Sequence, residues 1–312
     1  MVPDADFTSY YGRPVVKAAP WEQDIPAYLF LGGLAAGSSL LGAGADLTGR
    51  PALRRTGRLG AMVAIMGSAA ALVHDLGRPE RFANMLRVAK PTSPMSVGTW
   101  LLTAYGPVAG LAGAAELRGL LPRRLDLVGR FLGAVARPAG LAAGLVAPAV
   151  ASYTAVLLSD TATPSWHEAH RELPFVFVGS AALASAGLGL LATPTDQAAP
   201  ARRLAIGGAL LELGAERRME ASMGITAEPL HAGRAGRLLR AGKALTAAGA
   251  LGSALLGRRN RTVAAVSGLA LLGGSACTRF GIFEAGQASA RDPRYTVIPQ
   301  RERLDHRASG HV

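Results

Sequence analysis

Apolar residues in this chain gather in runs of about twenty, each closed by a short cluster of charge, and the pattern repeats from end to end. Eight runs have the length of a membrane-spanning helix: Ile25–Ala45, Leu59–Gly77, Met95–Leu117, Pro138–Ser159, Leu173–Ala192, Leu204–Ala221, Leu238–Gly257 and Thr262–Phe283. The pattern predicts an all-α membrane protein with eight transmembrane helices. The sixth run is the weakest, because it is short and carries Glu212, Glu216 and Glu220. Pro138 and Pro148 both fall in the fourth run and predict a kink. Residues 1–24 and 286–312 read as polar tails, the second without a core of its own.

Composition removes the soluble alternative. A soluble chain of 312 residues would suggest two domains. Half of these residues are hydrophobic and only 5% are aromatic. Gly and Ala are abundant, as suits helices that pack closely in lipid through small faces. Mean hydropathy is only +0.26 because arginine-rich loops and the two tails dilute the apolar runs.

The net charge of +12 raises nucleic acid as a partner. The arginines argue against it, since they sit at the ends of the runs, where positive charge sets orientation and meets lipid headgroups. The loops opposite the termini are compact and basic: Arg50, Arg54, Arg55 and Arg58, then Arg118 to Arg137, then Arg202 and Arg203, then Arg258, Arg259 and Arg261. By the positive-inside rule both termini are extracytoplasmic, in a cell or plasma membrane. Cys277, the single cysteine, allows neither an intrachain disulfide nor a cysteine-ligated cluster.

Ionisable groups inside a membrane are costly, so each points to function. Following chain direction through successive runs, Asp24, Tyr28, His74, Asp75, Arg78, Ser96, Thr99 and Tyr153 all gather near the face that carries the termini. Asp24 and Tyr28 share a helix face at i, i+4 spacing. Tyrosine hydroxyls beside a carboxylate or imidazole can hydrogen-bond a carbonyl and relay a proton. In a shallow apolar cleft, that chemistry suits a quinone. The predicted quinone contacts are Asp24, Tyr28, His74 and Tyr153, with Asp75, Glu212, Glu216 and Arg279 as a proton path. Blander roles also fit the same residues. The tyrosines suit an interfacial aromatic belt, Asp75 a pair with Arg78, and His74 a satisfied helix end. The three glutamates suit partners among loop cations, and Arg279 a pair with Glu284 or another neighbouring acid.

A membrane b-type haem takes two axial ligands, and His74 is the only histidine in an apolar run. No CxxC pattern or phosphate-binding glycine loop is present in the sequence. The chain is therefore expected to hold no haem, no iron–sulfur cluster and no other metal, and to exchange electrons with a partner.

Four segments carry a resemblance to a known family: WEQDIPAYLFLGGLAAG at Trp21–Gly37, DLGRPERF at Asp75–Phe82 running on to KPTSPMSVGTW at Lys90–Trp100, SYTAVLLSDTATPSW at Ser152–Trp166, and TRFGIFEAGQASARDP at Thr278–Pro293. In this ordered set the chain resembles the NrfD, or polysulfide-reductase membrane-subunit, family. The resemblance implies two four-helix bundles, residues 25–166 with the quinone site and 167–285. It implies menaquinone or ubiquinone as exchangeable substrate, a ferredoxin-like iron–sulfur subunit and a molybdopterin catalytic subunit as partners, and membrane lipid around the chain. Its quinone-contacting positions fall on Asp24, Tyr28 and Tyr153. The first run departs from the polysulfide-reductase branch, where a histidine and an amide stand in place of this tyrosine and aspartate. The segment after the second run would dock the iron–sulfur partner through Arg78, Arg81, Phe82, Met85 and Arg87. A secondary transporter and a passive anchor are the competing readings; no internal repeat supports the first.

Overall fold

The computed structural model describes residues 14–78, 80 and 84–309, with side chains as far as 305; Arg81 and Phe82 lie outside the described residues. All regular structure among the described residues is helical. The long helices are α1 (Asp24–Leu47), α2 (Pro51–Asp75), α3 (Pro94–Glu116), α4 (Asp126–Ser159), α5 (Leu173–Ala192), α6 (Ala199–Ser222), α7 (Gly233–Leu255) and α8 (Arg261–Arg291), followed by α9 (Arg294–Ser309). Five of them, α1, α2, α4, α5 and α8, are long and apolar enough to cross a membrane. The other three, α3, α6 and α7, occupy the third, sixth and seventh apolar runs.

Local signals place the ends. Gly49, at φ 66°, turns the chain between α1 and α2, and Pro51 opens α2 at a position where no N–H is needed. Ser93 caps α3 ahead of Pro94. Asn260 caps α8 by accepting from the Thr262 and Val263 amides at 2.9 and 3.1 Å.

Three boundaries depart from the sequence expectation. Helix α2 starts at Pro51, so Arg54 and Arg58 lie within it rather than in a loop. Helix α4 starts at Asp126 and runs unbroken through Pro138 and Pro148. Each proline removes one backbone donor, a cost offset where neighbouring helices hold the segment. Residues 286–312 are not a coreless tail: α8 continues to Arg291 with Gln287 and Ser289 buried, and Tyr295 of α9 is buried.

Helix α1 packs on α2, α4, α5 and α8, while α2 meets α3 and α3 meets α4. In the second half α5 packs on α6 and α8, and α7 on α6 and α8. Small residues allow the close crossings. A β-carbon on Gly37 of α1 would fall 2.5 Å from the Ser185 hydroxyl of α5.

A charge cluster joins α1 to α4 on the face opposite the start of α1. Arg58 donates to Glu116 at 2.9 Å and to Asp46 at 3.2 Å, and Arg54 donates to Glu116 at 2.9 Å. Arg137 of α4 approaches Asp46 at 3.8 Å. The Arg58, Asp46 and Glu116 side chains are only 5%, 11% and 9% exposed, so these pairs are largely removed from solvent.

Candidate functional site

Between the starts of α1 and α3 and the ends of α2 and α4 lies a cavity of about 90 Å³. Tyr28 enters it one turn into α1, and Tyr153 enters from the last two turns of α4. Their hydroxyls hydrogen-bond each other, and both side chains are buried. Tyr153 fits because α3 carries Gly98 there: a β-carbon at that position would sit 2.5 Å from the Tyr153 ring. Asp75 lies in the same wall, at the end of α2. Apolar side chains, including Leu72, Met95 and Leu102, make up most of the remainder.

Two phenols bonded to each other share one proton along the bond and leave one hydroxyl hydrogen to donate outward. With a carboxylate in the wall, the arrangement can hold a carbonyl oxygen and hand it a proton. The remaining surroundings of the tyrosine pair are mostly apolar.

The remaining sequence-derived site residues separate from this group. Asp24 accepts from His74 Nδ1 at 2.8 Å, closing α1 onto α2. The His74 side chain is 81% exposed, and neither residue lines the cavity. Arg78 and Arg87 are exposed. Met85 instead lines the cavity, so the segment after α2 contributes an inward-facing thioether. Asp75 forms no ion pair with Arg78 among the described residues.

Glu212, Glu216 and Arg279 form a separate polar group in the second half. Glu212 is fully buried; its Oε1 accepts from Thr246 at 3.1 Å and Thr278 at 3.5 Å, and its Oε2 has no hydrogen-bond partner among the described residues. Glu216, one turn on, is 2% exposed and neither oxygen is hydrogen-bonded, with the Lys243 ammonium at 3.7 Å. Lys243 also donates to Glu220 at 2.5 Å, and His231 lies 3.9 Å beyond, toward the surface. Arg279 does not pair with Glu284. It donates to the Phe177 carbonyl at 2.6 Å and to Ser180 at 3.2 Å, with its guanidinium 3.8 Å from the Phe177 ring centre. Glu284 meets Gln23 and Arg234 instead. Residues five apart on a helix sit about 140° apart around the axis, which turns Arg279 and Glu284 to different faces.

Several wall residues were not among the sequence-derived candidates, and the tryptophan among them stands out. Trp21 lines the cavity from the segment before α1. Its signal was its place in the WEQD stretch, three positions ahead of Asp24.

Residues 15–200 match the family model described as polysulphide reductase, NrfD, which is more than half of the chain and includes every residue lining the cavity. No curated protein matches the chain.

Proposed function

We propose, for a chain that belongs to the polysulphide reductase, NrfD family, that this multi-pass membrane protein is the quinone-reactive subunit of an oxidoreductase complex. The observation that carries the reading is the meeting of Tyr28 and Tyr153 hydroxyls in the wall of a cavity that also takes Asp75. A menaquinone or ubiquinone enters from lipid as exchangeable substrate. Its carbonyl oxygen accepts from the tyrosine pair. Taking two electrons and two protons makes it the quinol, and the reverse step returns them. The electrons exchange with the clusters of a ferredoxin-like iron–sulfur subunit, which in turn serves a molybdopterin catalytic subunit. This chain itself holds neither haem nor cluster. Arg78 and Arg87 belong to the partner-docking surface, and Asp24 with His74 pins the rim of the cleft.

The eight long helices read as eight spans in two groups, α1 to α4 and α5 to α8, joined where α1 packs on α5 and α8. The short basic loops then face the cytoplasm, and both termini lie outside the plasma membrane. Purification from native membranes tests the assignment. The chain should bring an iron–sulfur protein and a molybdopterin enzyme with it, and the assembly should oxidise menaquinol or reduce menaquinone. A chain that purifies alone and drives proton-coupled solute flux in vesicles is a transporter, and the reading falls.

Asp75 serves the cavity as a proton donor and acceptor, while Glu212, Glu216 and Arg279 form an inward proton path. A buried carboxylate without donors is expensive, so Glu216 is suited to accept and pass on a proton rather than to anchor a fixed ion pair. In proteoliposomes holding the complex, Glu216→Gln should lower proton movement per electron pair by about tenfold and leave electron transfer in place. Unchanged proton movement would remove Glu216 from the path.

A further inference from the structure

The cavity is formed by the first four long helices, but one of its walls is held by α8. Trp21 stands in a strap ahead of α1. Gln287 of α8 donates its side-chain amide to the Ala19 carbonyl at 3.0 Å and to the Trp21 carbonyl at 3.2 Å. Gln23, two residues beyond, donates to Glu284 of the same helix at 3.0 Å. The Trp21 ring stacks on Trp166, with centroids 5.8 Å apart, and Trp166 packs on Phe283 at 5.5 Å. Trp166 is itself fixed by donating to the Ile282 carbonyl at 2.9 Å. Gly286 leaves the space, since a β-carbon there would fall inside the Trp166 indole. Three side chains of α8 and one buried tryptophan thus determine where the Trp21 indole stands.

That placement has a chemical use. Tyr28, Tyr153 and Asp75 supply polar contacts to one edge of a ring, and Met85 and Met95 supply soft, deformable walls. A flat conjugated ring also needs a flat partner, and offset aromatic stacking is the favourable arrangement. Trp21 is the tryptophan among the lining residues.

We propose that Trp21 is a specificity-determining wall on which the ring of the bound quinone lies, and that Gln287 is a positioning residue acting through it. The inference rests on the quinone reading above. A fused two-ring naphthoquinone overlaps an indole more fully than a single-ring benzoquinone, so the wall favours the naphthoquinone class.

The test uses the full chain in detergent, carrying Trp100→Phe so that Trp21 and Trp166 remain of the three tryptophans. Menadione, a tailless naphthoquinone, is titrated while tryptophan emission is followed. The parent should show saturable quenching, at lower concentration than with a tailless benzoquinone. Gln287→Met keeps the volume and removes the donors; it should raise the half-saturation concentration about tenfold, the scale of one aromatic contact. In a Trp21→Ala background, Gln287→Met should change nothing further, because the two act as one unit. A general loss of packing would instead add to the Trp21→Ala effect. If Gln287→Met does not melt cooperatively, Trp21→Ala decides alone. Half-saturation unchanged by Trp21→Ala overturns the proposal while leaving the quinone site standing. Absence of saturable quenching in the parent, or binding indifferent to Tyr28→Phe with Tyr153→Phe, overturns the quinone reading itself.

Discussion

Tyr153→Phe should slow electron exchange between quinone and the assembled complex by about 100-fold, the lower end of what a positioned proton donor contributes. The ring stays, so packing against Gly98 and the neighbouring core is kept. What disappears is the hydroxyl bonded to Tyr28, and with it the donor pair facing the cavity. Tyr28→Phe should cost a similar factor. The double variant should cost little more than either, because the two hydroxyls act as a unit. The loss should appear in turnover with the partner subunits still bound. A Tyr153→Phe complex that assembles and turns over at the parental rate would leave the chain as a passive anchor.

Arg58→Ala should be the most damaging single change to stability, by about 3–5 kcal/mol. Arg58 joins Asp46 of α1 to Glu116 of α3, and its removal leaves two largely buried carboxylates with only Arg54 and the distant Arg137. The penalty is the desolvated charge left behind rather than the worth of the bond. Removing two charges together should restore much of the loss, so Arg58→Met with Glu116→Leu should melt closer to the parent than Arg58→Ala does. Thermal unfolding in detergent measures both. Equal melting of Arg58→Ala and the parent would mean that the cluster contributes nothing net.

The sequence was most legible where lipid dictates length. Each apolar run became a long helix, and five of these helices are long and apolar enough to meet the demand of a bilayer for about twenty apolar residues per crossing. The convergence of Tyr28 and Tyr153, 125 positions apart, followed from counting crossings and direction. The edges were less legible. Arg54 and Arg58 look like loop residues until Glu116, 62 and 58 positions away, is known to meet them inside the helix. The start of α4 was hidden by Pro138, whose local signal for a break was overridden by neighbouring helices. At the end of α2, Asp75 and not His74 lines the cavity. Adjacent helix positions point about 100° apart, and only the packing of α2 decides which of them faces inward. Trp21 was invisible as a wall because its anchor, Gln287, lies 266 positions downstream.

That separation bears on how the molecule is made. Trp21 leaves the ribosome 266 residues ahead of Gln287. Until α8 emerges the strap therefore waits without its clasp, and the glycine face of α1 waits for α5 and α8. The cavity gains its Trp21 wall only once α8 has emerged. A chain halted before α8 can thus thread its early helices into the bilayer while the Trp21 side of the cavity still lacks its anchor.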